Sequence, residues 1–189
     1  MHAQSNKDKY QRHTGFFLSM GLGPAFGKII SDMGGEQVDM SGTGAQFDLK
    51  IGGAIKENLI LHATIISTSL NGPTVKSSYG MTGKTTNNLS ISENMIIGGG
   101  LTYYVMPSNL FLSGTLGLGN YTLSDIDSNV NGSTDNGVSI QLKVGKEWWV
   151  SKKWGLGIAF TYGKTFVNNA GVEKLNSNRF GILFNATLN

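Results

Sequence analysis

The sequence predicts an all-β protein: an eight-stranded antiparallel up-and-down barrel that crosses a membrane. Three observations predict it. Large apolar residues alternate with small or polar ones in eight separate stretches. Each stretch is about 10 residues or longer, enough to cross a bilayer at a steep tilt, whereas strands of soluble proteins average about 5–6. The connections alternate strictly between short and long.

From Thr14 to Gly27 the even positions carry Phe16, Leu18, Met20, Leu22 and Phe26, and the odd positions carry Ser19, Gly21, Gly23, Ala25 and Gly27. Successive strand side chains point to opposite faces, so this is one strand with a large apolar face and a small one. The pattern recurs at Ala45–Gly52, Leu59–Ile66, Met95–Val105, Leu110–Gly119, Val138–Val150, Trp154–Gly163 and Arg179–Leu188. In the third repeat Met95, Ile97, Leu101 and Tyr103 fall on the apolar face, and Ile96 on the opposite one. Short turns are expected at Lys56-Glu57-Asn58, Met106-Pro107-Ser108-Asn109 and Ser151-Lys152-Lys153, and long polar loops at 28–43, 71–94, 124–136 and 168–178. Short turns on the periplasmic side and long outer loops are the arrangement of outer-membrane barrels, and both termini then fall on the periplasmic side. Residues 1–13 are read as a polar periplasmic segment and 14–189 as one barrel domain. A soluble barrel of the lipocalin kind is the rival fold; it would turn its large apolar residues inward.

Composition excludes other classes. Only 14% of residues are charged and 27 are Gly, against about 25% and about 7% in soluble domains. The absence of Cys rules out disulfides and thiolate metal sites. The net charge of +3 is scattered, so no nucleic-acid partner is implied. No apolar run approaches the roughly 18 residues of a transmembrane helix. The polar start Met1-His2-Ala3-Gln4 is read as that of a mature chain whose secretion signal has been removed.

The opening strand Gly15-Phe16-Phe17-Leu18-Ser19-Met20-Gly21-Leu22-Gly23 and the last strand, Arg179 to Asn189, carry a resemblance. Over nearly its whole length the chain resembles the small bacterial outer-membrane barrels of the OmpA-transmembrane-domain and OmpX type. The last strand is similar to the C-terminal signal read by the barrel-assembly machinery, although that signal usually ends on an aromatic residue and this one ends Leu188-Asn189. The resemblance implies residence in the bacterial outer membrane.

Asp48, Lys50, His62, Lys143, Glu147 and Arg179 fall on the face opposite the lipid set. Eight strands leave a bore just wide enough for side chains to fill, and buried charges persist only when paired. These six are therefore expected to form an interior charge network, with Asp48, Lys50 and Lys143 at one depth and His62 and Glu147 at another. Phe17, Ile60, Ile66, Ile96, Tyr104, Phe111, Trp149 and Leu183 are also expected inside, which leaves room for a rival role in binding or transporting a small hydrophobic ligand. Lys146 and Lys164 fall on the lipid face near its edges, where Lys164 is a candidate contact for lipopolysaccharide phosphates. No catalytic residues, metal site or cofactor are expected: the histidines are His2, His13 and His62, and none has a recognisable nucleophile or ligand spacing. Gly21-x-Gly23-x-x-x-Gly27 lacks the Lys and helix of a phosphate loop. The expected role is structural or interactive, through the long loops. Its expected partners are outer-membrane lipid, lipopolysaccharide, and other envelope or cell-surface proteins.

Overall fold

The computed structural model describes residues 11–86, 88–125 and 130–189. Its strands are β1 (Phe16–Met33), β2 (Glu36–Lys56), β3 (Leu59–Ser77), β4 (Thr82–Lys84), β5 (Leu89–Val105), β6 (Leu110–Asp125), β7 (Val130–Ser133), β8 (Gly137–Trp149), β9 (Trp154–Asn169) and β10 (Glu173–Leu188). Eight of them form a ring: β1, β2, β3, β5, β6, β8, β9 and β10 each pair antiparallel with the next, and β1–β10 closes the circle. β4 and β7 are short additions to β3 and β6. Closure pairs every strand of the ring on both sides, which is what lets strands cross hydrocarbon.

The faces are inverted relative to a soluble barrel. Leu22 and Leu116 are 60% exposed, whereas Lys143 and Arg179 are 2% exposed. Water would drive this pattern to turn inside out; lipid stabilises it. Trp148, Trp154 and Tyr103 stand outward near the short-turn end, and Phe26 and Phe166 do so nearer the opposite end, the placement of two interfacial girdles.

The structure corrects the long loops. The segment 28–43 is ladder on both sides, with Met33 paired to Glu36 around Gly34-Gly35. Both glycines have positive φ (63° and 94°), the requirement of a tight two-residue hairpin turn, which L residues with a Cβ resist. Likewise β3 runs to Ser77, β9 to Asn169, and β10 starts at Glu173. Polar Ser, Thr and Asn keep pairing because water outside the membrane does not penalise an already satisfied backbone. The outer surface is thus made of projecting hairpins. Residues 126–129 of the predicted loop at 124–136 lie outside the described residues, as do residues 1–10.

A second correction concerns β5. Ile96 is 45% exposed and Met95 is fully buried, opposite to the expected faces. The pairing of β5 shifts between Met95 and Ile97 against β6, and that of β3 shifts between Thr64 and Ile66 against β5. An extra residue at this bulge places Ile96 and Ile97 both outward and reverses the parity of everything before them. The other interior apolar residues are where they were expected: Phe17, Ile60, Ile66, Tyr104, Phe111 and Leu183 are buried, and Trp149 is half-buried.

Candidate functional site

The bore is filled in layers. At the periplasmic end Phe17, Ile60, Tyr104, Phe111 and Ala159 form an apolar floor. At the outer end Ile29, Leu70, Ile91, Tyr121, Val167 and Leu175 form an apolar roof, with Met40 packed against it. Between them lies the polar interior.

β2 and β8 carry the central charges. Lys143 Nζ donates to both oxygens of Asp48, at 3.0 and 2.9 Å, and to Asn185 Oδ1 at 2.6 Å. The pair is 2% and 0% exposed. Lys50 Nζ donates instead to Ser113 Oγ at 2.7 Å, and Thr102 Oγ1 donates to the same oxygen at 2.8 Å. His62 lies against Thr64 Oγ1 (2.8 Å) and Thr102 Oγ1 (3.0 Å), with Ser113 Oγ at 3.4 Å. Glu147 accepts from Asn185 Nδ2 at 2.5 Å and from Thr187 Oγ1 at 2.7 Å. Thus Lys50 and His62 both reach Ser113, and Lys143 and Glu147 both reach Asn185, so the layer of Asp48, Lys50 and Lys143 continues into His62 on one side and Glu147 on another. Gly21 allows this crowding: a Cβ there would lie 2.6 Å from Asp48 Oδ1 and 3.0 Å from Lys143 Nζ.

Arg179 pairs with a residue the sequence pattern did not single out. Its Nη1 meets Glu93 Oε1, and both side chains are buried. Glu93 has the parity of the lipid-facing residues of β5 and sits inside a segment that reads as loop. The bulge at Met95–Ile97 is what turns it inward, and alternation alone carries no signal for a bulge.

His13 was also missed as part of the barrel. It is fully buried and stacks on Tyr104 with ring centroids 3.5 Å apart and planes 13° from parallel. Its ring nitrogens meet Asn189 Oδ1 at 2.8 Å and Asn109 Oδ1 at 2.7 Å. The backbone amide of Asn58 donates to His13 O, and Gln11 Nε2 donates to Ser151 O. Residues 11–13 therefore strap across the mouth and touch all three short turns. His13→Ala should destabilise the barrel by about 3 kcal/mol, from a lost stacked pair of about 0.5–1.5 kcal/mol and two hydrogen bonds of about 1 kcal/mol each. Urea unfolding in vesicles measures the loss, and faster tryptic cleavage after Arg12 would report the freed strap.

Lys164 lies outward, its Nζ 5.0 Å from the Phe166 ring centre, and Lys146 covers Trp148 in the same way at 5.7 Å. Both pairs place a cation over an aromatic of a girdle. Among the described residues, no cluster of three His, Cys, Asp or Glu is placed to hold a metal ion.

A closed ring with an apolar exterior, aromatic girdles and a packed polar bore defines a small outer-membrane β-barrel. No protein-family model matches the chain, and no curated protein matches it. Solved structures do. It is similar to Neisserial surface protein A, with a TM-score of 0.60 and 13% identity over 93% of this chain and 97% of that one. It is also similar to the outer membrane protein OprG from Pseudomonas aeruginosa, with a TM-score of 0.54 and 15% identity over 95% and 99% of the two chains. Identities this low speak to the fold, and the fold is that of bacterial outer-membrane barrels.

Proposed function

We propose that this barrel is a closed, non-enzymatic scaffold that presents its outer hairpins for surface interaction. The observation that carries the reading is the filled bore: apolar floor, ion-paired middle and apolar roof leave no layer free for a solute path. Projecting hairpins are then the part of the molecule free to meet a partner. Their tips expose Met33, Tyr79, Met81 and Val172, and Tyr79 OH donates to Glu36 Oε1 at 2.9 Å, bracing two tips against each other. Large apolar side chains beyond the membrane favour contact with another surface. Fitting partners are other envelope or cell-surface proteins.

Lys164 suits a lipopolysaccharide phosphate, since its ammonium is held beside the Phe166 ring and no carboxylate pairs with it among the described residues; Lys28, by contrast, pairs with Asp39 at 2.7 Å. An enzymatic reading has little support. Ser113 approaches His62, but Ser113 Oγ accepts hydrogen bonds from Lys50 and Thr102, and all four side chains are sealed inside the bore.

Two measurements test the proposal. The barrel reconstituted in planar bilayers should show no conductance steps; steady channels would overturn the closed bore. Photo-crosslinkers at Tyr79 and Val172 in intact cells should give adducts that vanish when Met33, Met81 and the other tip residue become Ser. Adducts no more frequent than at Trp154, at the opposite end, would remove the role of the hairpins.

A further inference from the structure

The outer mouth holds a cavity of about 280 Å³. Met40, Ile91, Tyr121 and Leu175 supply apolar wall from β2, β5, β6 and β10, and Thr134 and Glu173 stand among them. The wall therefore spans staves on different sides of the ring. Ile91, Tyr121 and Leu175 also belong to the apolar roof of the bore, so the cavity lies against that roof, with Arg179–Glu93 in the polar interior. The cavity is a dead end, suited to holding a molecule rather than passing one. Its size is near the roughly 300 Å³ lower end of small-molecule sites, which are mostly apolar with a few fixed polar groups.

Glu173 decides what kind of molecule fits. One oxygen of its carboxylate accepts from Ser31 Oγ at 2.5 Å and the other from Asn169 Nδ2 at 3.3 Å. Both donors are neutral, and among the described residues no Lys, Arg or His forms an ion pair with it. The carboxylate is thus fixed in orientation and its charge is unmatched. The remaining polar groups of the wall are occupied: Thr134 Oγ1 accepts from the Tyr121 amide and donates to Asp135 O, and Tyr121 OH donates to Thr165 O. Asp135, beside Thr134, is a second acid, whose Oδ2 accepts from the Ala170 amide. An anion would meet repulsion here, and a neutral molecule would leave the charge of Glu173 unmatched.

We propose that the outer mouth is a binding site for a small organic amine, its ammonium on Glu173 and its apolar body against Met40, Ile91, Tyr121 and Leu175. The inference goes beyond the scaffold role and does not depend on it, because neither conductance nor tip crosslinking reads this cavity.

The test uses the whole barrel in lipid nanodiscs, with the methyl groups of Met40 and Ile91 observed by NMR. The probes are 4-phenylbutylamine, 4-phenylbutanol and 4-phenylbutanoate, each titrated also against empty nanodiscs to subtract partitioning. The amine should bind at least tenfold tighter than the alcohol, and the carboxylate more weakly than either. Glu173→Gln, nearly isosteric, should bring the amine down to the level of the alcohol and leave the alcohol unchanged. Ile91→Trp should fill the cavity and abolish both; heat-dependent gel migration confirms that each variant is folded. Equal response to all three probes would mean a generic apolar occupant such as an acyl chain, and would overturn the proposal. So would an amine preference that survives Glu173→Gln, or methyl shifts no larger than partitioning produces.

Discussion

Replacing Asp48 with Asn should destabilise the barrel by about 3–5 kcal/mol, the usual cost of removing one partner of a buried ion pair. Asn keeps the shape, so no cavity is created. What changes is that Lys143, 2% exposed, loses the only carboxylate its ammonium contacts among the described residues. Lys50 lies in the same layer, where its ammonium donates to the neutral Ser113 hydroxyl, so two ammonium groups would face each other without a compensating charge. Urea unfolding in phospholipid vesicles, followed by the fluorescence of Trp148 and Trp154, measures the loss. The triple variant Asp48→Leu with Lys50→Met and Lys143→Met should recover most of it, because removing all three charges of the layer together leaves no uncompensated ion. A loss below about 1 kcal/mol for Asp48→Asn would mean that water reaches this layer and that the bore is not closed there.

The second large effect is expected at a glycine. Gly163 pairs in register with Arg179 across β9 and β10. A Cβ at Gly163 would lie 2.7 Å from Arg179 Nη2. An exposed arginine would swing aside, but Arg179 is 2% exposed, paired with Glu93, and donates to Thr165 Oγ1 at 3.3 Å. Gly163→Val should therefore displace the guanidinium and separate it from Glu93, adding an ion-pair loss to the ordinary overpacking cost of about 1–3 kcal/mol. A fall in stability of about 4 kcal/mol or more is expected in the same unfolding assay. In a background carrying Arg179→Leu and Glu93→Leu, the same glycine substitution should cost only the overpacking part. Equal costs in both backgrounds would show that the glycine does not act through Arg179.

Most of the fold was legible in the sequence because it rests on a period-2 pattern with a consistent inside and outside. Asp48, Lys50, His62, Lys143, Glu147 and Arg179 are all buried in the bore, as alternation requires. The depth of Asp48 beside Lys143 could be counted from the turns. Partners across the ring could not. Glu93 was hidden because one bulge reverses parity in β5, and the same bulge misplaced Ile96. His13 was hidden because a polar residue before the first strand has no periodicity to read. Glu173 fell in a segment read as loop, since Ser, Thr and Asn in a water-exposed hairpin look like a loop sequence.

The sequence by itself determined that this chain closes into an eight-stranded outer-membrane barrel with polar residues inside. Alternation and strand length are local properties, and lipid admits no other arrangement of strands with such a face. Only the tertiary structure decided which interior charges meet, that residues 11–13 cap the periplasmic mouth, and that an apolar cavity with one unmatched carboxylate forms at the other end. Those features depend on register, bulges and the stagger between staves far apart in the chain, and a one-residue shift in any of them moves side chains to the opposite face.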